Sequence, residues 1–172
     1  MYWQPTYTSE QKAPEVTKLL LSIHVLAAIV TVGSITVAAS MFPRYALRAL
    51  DGAEEASRSS GVAALLHRIC YGYALGGIVV PVFGIATGAA LGVLTDAWLI
   101  ASLVLTVIAA ALLGFAILPR QRLLLAEDGT APTEETARAT AARLTMLTGI
   151  FNLIWAVVVV LMIVRPGSTT SV

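Results

Sequence analysis

Carboxylates are missing from every long apolar stretch of this chain. Asp96 lies in a short link, and each glutamate falls in a polar loop or ahead of the first apolar run. Ion-coupled transporters and proton pumps rely on ionisable groups inside the bilayer, so this absence argues against both. Cysteine is as scarce. Cys70 stands alone, which excludes an intramolecular disulfide, and no CxxC or Cys/His cluster suggests a metal centre. No nucleophile accompanied by a base, Walker loop, HExxH or GxSxG is present, so the chain reads as non-enzymatic. A net charge of +1 provides no field that would gather nucleic acid.

Apolar residues are what the chain has in excess. Of its 172 residues 58% are hydrophobic and only 12% charged, about half the charged share of a soluble domain. Mean hydropathy is +0.84. These values predict an all-α integral membrane protein. Apolar runs near the ~20 residues needed to cross a hydrocarbon core fall at about 19–41, 72–93, 98–118 and 144–164, which predicts a four-helix bundle within 18–165. Residues 1–17 form a polar segment with Glu10, Lys12, Glu15 and Lys18. A cleavable signal would begin with a basic region and a short apolar core, so the first span reads as retained. The tail 166–172 reads as disordered.

Prolines mark two span ends. Phe42-Pro43-Arg44 is expected to stop the first helix, and Pro119-Arg120 the third. The second helix is expected to start near Gly61 and run to Val93, about 50 Å against a core of about 30 Å, so that its first turns project from the membrane. The link Leu94-Thr95-Asp96-Ala97 is short enough to force spans two and three into an antiparallel hairpin. Arg44, Arg48, Arg58, Arg68, Arg120, Arg122, Arg138 and Arg143 all fall on one side of this layout. The positive-inside rule therefore makes the two long loops cytoplasmic and both termini extracytoplasmic in an inner (plasma) membrane.

The order Pro-Arg, Asp-Gly, Glu-Glu-x-x-Arg occurs twice: Pro43-Arg44, Asp51-Gly52 and Glu54 to Arg58, then Pro119-Arg120, Asp128-Gly129 and Glu134 to Arg138. This matches two helical hairpins repeated in the same topology.

Span two carries glycines four residues apart: Gly72, Gly76, then Gly84, Gly88 and Gly92, with Pro81 between the groups. Four residues turn a helix by about 400°, so these positions form one slowly drifting face bare of side chains. In a bilayer such a face lets another helix approach closely. Pro81 predicts a kink. The partners implied are lipid and other membrane helices, either subunits of a larger complex or a second copy of this chain.

His24 is the one titratable group set well inside a span. With Thr31 and Ser34 it forms a small, polar face, and Thr87 and Ser102 are expected at similar depth, roughly 10 Å in. The first reading has His24 hydrogen-bonded to such a hydroxyl, with no cofactor. An alternative makes His24 a haem, copper or quinone contact. His67 is expected at the opposite end, so the two histidines cannot share one iron, and Met162 comes near His24 only with tilt; a group shared between two copies, each giving His24, stays open. Asn152 lies on a stripe with Thr145, Thr148, Gly149 and Trp155. A second alternative is a small-solute or lipid carrier, with a cavity lined by His24, Thr31 and Asn152.

The stretch Leu21-Ser22-Ile23-His24-Val25-Leu26-Ala27-Ala28-Ile29-Val30-Thr31-Val32-Gly33, followed by Pro43-Arg44, resembles the opening helix of a family of uncharacterised bacterial four-span membrane proteins. That family is in turn similar to the membrane domain of copper-resistance D proteins, in which H-x-L-A-A is followed by tryptophan and then glycine. Thr31 stands at the tryptophan position here. The resemblance implies a four-span fold and membrane placement. Small-residue composition and arginine use also resemble actinobacterial proteins.

Overall fold

The computed structural model describes residues 9–51, 53–127 and 129–167, with side chains from residue 15 onward except at 53 and 54. Most of the expected polar segment 1–17 and of the expected disordered tail 166–172 therefore lies outside the described side chains, as do Gly52 and Asp128 of the two Asp-Gly pairs.

Among the described residues the chain is helical: α1 Ser9–Arg48, α2 Ala53–Gly76, α3 Val79–Leu91, α4 Ala97–Ala111, a π-helical segment Leu112–Ile117, α5 Leu118–Leu124 and α6 Glu134–Val164. These make four helices long and apolar enough to span a membrane: Glu15–Arg48, Glu55–Leu91, Ala97–Leu124 and Glu134–Val164. Large apolar side chains cover the outside, including Phe115 at 84%, Ile163 at 76% and Val107 at 68% exposure. Such a surface is stable against acyl chains and would aggregate in water.

α1 is the spine. It packs against α2, α3 and α6, while α4 packs against α6. Ile35, Ala38, Ala39, Phe42 and Ala46 of α1 meet Leu66 and Cys70 of α2, Leu113 and Ile117 of the third span, and Leu144 and Phe151 of α6. Alanines keep the axes close, and the two phenylalanines, each at most 1% exposed, fill the middle.

The prolines at 43 and 119 do not end their helices, contrary to expectation. α1 continues through Pro43 to Arg48, because its core face, Ala39, Phe42 and Ala46, goes on packing past the proline and outweighs one lost backbone hydrogen bond. The third span continues through Pro119 to Leu124 by widening into the π-helical segment just before it. Leu118 N–H bonds the carbonyl of Leu113, five residues back, which eases the clash of the Pro119 ring with the carbonyl four residues before it. Arg120 Nη1 caps the Ala116 carbonyl at 2.8 Å.

The second span breaks at Gly77–Ile78, just ahead of Pro81. Pro81 has no N–H to offer the Gly77 carbonyl, and Val80 N–H takes it instead at 3.1 Å, three residues on. The second helix also starts earlier than Gly61, at Ala53. The helix that contains the apolar run 144–164 starts at Glu134, because Thr133 accepts from Thr136 N–H and the acidic pair Glu134–Glu135 favours the helix N-terminus.

Gly92 was expected on the packing face, and its role is in the turn. Its φ is +69°, and Val93 N–H bonds back to the Gly88 carbonyl at 3.0 Å, closing α3 in a Schellman motif. At the same end Trp98 Nε1 donates to Asp96 at 3.0 Å, and Arg165 lies over the Trp98 ring, tying the end of α6 to the start of α4.

Candidate functional site

His24 is buried at 9% exposure and faces the break in span two. Its Nδ1 lies 2.9 Å from the Val80 carbonyl. A carbonyl only accepts, so Nδ1 carries the hydrogen and donates. The ring fills the space beside Gly84: a Cβ there would stand 2.9 Å from His24 Cε1 and 3.2 Å from Nδ1. About two turns further in, the Thr31 methyl would be 3.2 Å from a Cβ at Gly77. His24 and Thr31 thus sit against the glycines that flank the kink.

The hydroxyls expected to serve His24 do not. Thr87 donates to the Phe83 carbonyl at 2.7 Å and Ser102 to the Trp98 carbonyl at 2.8 Å, each four residues back on its own helix. A hydroxyl within a buried helix finds that carbonyl without any tertiary arrangement, whereas His24 bonds the Val80 carbonyl in the first turn of α3. Ser34 is half-buried. Asn152 is on a different contact: Thr36 donates to its Oδ1 at 3.0 Å, twelve residues along α1 from His24. On the same stripe of α6, Thr148 Oγ1 and Trp155 Nε1 are buried and unpartnered.

A second buried polar cluster lies at the opposite end, where sequence reasoning had placed only His67. His67 Nδ1 is 2.8 Å from Gln121 Oε1, and Gln121 Nε2 reaches Cys70 Sγ at 3.7 Å. Gln121 and Cys70 are fully buried and His67 is 6% exposed. Glu127 connects the cluster to the surface, 4.0 Å from His67 Nε2 and 3.8 Å from Arg122 Nε. A helix end at Pro119 would leave Gln121 in a loop, whereas the helix that continues to Leu124 carries it into the core. The available signal was its neutrality within the arginine-rich stretch Arg120 to Arg122.

The two histidines bond to different helices at opposite ends of the bundle, and among the described residues no three His, Cys, Asp or Glu side chains converge as metal ligands. A cavity of about 310 Å³ is present, but its walls include Tyr71, Ala74, Leu75, Leu113, Gly114 and Arg122 rather than His24, Thr31 and Asn152. The arrangement at His24 can hold helices together; it presents no nucleophile or paired acid and base.

The glycines divide into two sets. Gly84 and Gly88 are covered, the latter with a Cβ position 2.9 Å from the Leu99 Cδ2 methyl. Gly72 and Gly76 are exposed, with nothing within 4 Å of where a Cβ would stand. The ladder is therefore not one packed face within the chain, since the break at Gly77–Ile78 divides it.

Residues 18–166 match the model of a family described as predicted integral membrane protein (DUF2269). The chain belongs to this family. The match takes in all four spans, so this DUF2269 chain is an integral, multi-pass membrane protein. Comparison with curated proteins and with solved structures found no match.

Proposed function

We propose that this DUF2269 protein is non-enzymatic and works through helix–helix association, as an accessory or stabilising subunit of a larger membrane complex or as a homo-oligomer. The observation that carries this reading is the uncovered pair Gly72 and Gly76 on α2. They lie one turn apart and point away from the core face marked by Ala63, Leu66 and Cys70. A bare surface of this kind allows a partner helix to approach closely, and helix association in lipid is driven by such packing. Gly84 and Gly88 serve the fold; Gly72 and Gly76 are left for a partner. The arginine distribution supports a plasma-membrane orientation with both termini outside.

Mild-detergent affinity purification with identification of co-purifying proteins tests this. Because a Cβ would meet nothing within 4 Å at either position, Gly72→Leu and Gly76→Leu should leave the isolated chain folded and should abolish association. A monomer with no co-purifying partner, or association that survives both substitutions, overturns the reading.

A further inference from the structure

Spans two and three meet at both ends and part between them. α3 touches α4 near the hairpin and α2 touches α5 near His67 and Gln121, while α2 makes few contacts with the widened π-helical segment. The gap is a cleft of about 310 Å³ walled by Ala74 and Leu75 on one side and Leu113 and Gly114 on the other, with Tyr71 and Arg122 at one end. Small residues and the extra width of the π-helix before Pro119 keep it open.

Lining and charge define an occupant. The walls are apolar along their length, and the cleft ends at the Arg122 guanidinium and the Tyr71 ring. An acyl chain is slender enough to lie along the cleft, and the exposed apolar surface around it places the cleft among acyl chains. Arg122 stands over the Tyr71 ring, 5.6 Å from its centroid. Arg68 is exposed and shares the Tyr71–Leu75 face of α2 at spacings of three and seven. Glu127 engages Arg122 through Nε, which leaves the terminal guanidinium nitrogens for a phosphate.

We propose that this cleft binds one acyl chain of an anionic phospholipid whose phosphate is held by Arg122 and Arg68. The chain portion gains little by leaving the bilayer for the cleft, because both are hydrocarbon. Selectivity therefore resides in the headgroup, at about a fivefold preference per arginine.

The full chain, placed in nanodiscs of equal parts phosphatidylglycerol and phosphatidylcholine and released into mild detergent, is read by native mass spectrometry for retained lipid. Phosphatidylglycerol should be retained about 25-fold over phosphatidylcholine, about fivefold for each of the two arginines. Arg122→Gln and Arg68→Gln should each lower that preference about fivefold. Gly114→Leu, at a position where a Cβ meets nothing, should expel the lipid with both arginines in place. Ala74→Leu fills the cleft from the opposite wall, should Gly114→Leu fail to fold by circular dichroism and gel filtration. Arg138→Gln, in the first turns of α6, should change nothing. Equal retention of the two lipids, wild-type retention with the cleft filled, or an equal loss in Arg138→Gln each overturns the proposal.

Discussion

His24 occupies the space that a side chain at Gly84 would need, with Cε1 2.9 Å from the Cβ position, while its Nδ1 donates to the Val80 carbonyl one turn earlier. The imidazole and the glycine are two halves of one contact between α1 and α3. Gly84→Ala should therefore destabilise the bundle by about 1–3 kcal/mol through overpacking. Added to His24→Ala it should cost far less, because the obstructing ring is gone. Unfolding of the four proteins of this cycle in mixed micelles checks the coupling, and additive losses would show that the two residues are independent.

The other glycines in span two should rank by what their neighbours can yield. At Gly77 a Cβ would stand 2.9 Å from the Tyr73 backbone oxygen, which cannot move alone, so Gly77→Ala should be as harmful as Gly84→Ala. At Gly88 the obstruction is the far end of Leu99, which can rotate, so Gly88→Ala should cost less than about 1 kcal/mol. Gly72→Ala and Gly76→Ala should be neutral or stabilising in the isolated chain. Thermal melting of the series in one detergent gives the order directly.

Gln121→Leu leaves His67 Nδ1 without its buried partner and should cost about 1–3 kcal/mol. Replacing His67 by leucine as well removes the orphaned group. The double variant His67→Leu/Gln121→Leu should then be more stable than Gln121→Leu alone, as read by the same unfolding measurement. A double variant that is less stable would show that His67 contributes through another contact.

Thr36 and Asn152 join α1 to α6 by one side-chain hydrogen bond at 3.0 Å. Interhelical bonds of this type in membranes are worth about 0.6 kcal/mol on average, because polar groups also find partners in the membrane-unfolded state. A cycle of Thr36→Val and Asn152→Leu should return a coupling of that order. A value near zero would reduce Asn152 to a packing residue.

Much of the fold was legible in the residue order. The four apolar runs appear as four spanning helices, and the short link at Leu94–Ala97 as a tight hairpin. Pro43 and Pro119 are expected helix ends by sequence, and neither ends its helix. At Pro43 and Pro119 the flanking core contacts continue, and the third span absorbs its proline by a local change of helix type. The candidate sites were legible only in outline. His24 stood out as an ionisable group within a span, but its acceptor is a backbone carbonyl, which no residue pattern marks. Gln121 belongs to the core only because the helix continues past Pro119.

The sequence by itself determined that this chain lives in a bilayer and crosses it four times. Burying an apolar run of about 20 residues is a local property, settled by length and composition without reference to any neighbour. Only the tertiary structure decided what each small or polar residue does there. Gly77, outside the spacing of four, is crowded; Gly84 and Gly88 are covered; Gly92 turns the chain; Gly72 and Gly76 are bare. A glycine's role depends on what stands opposite it, and that is fixed when two helices pack.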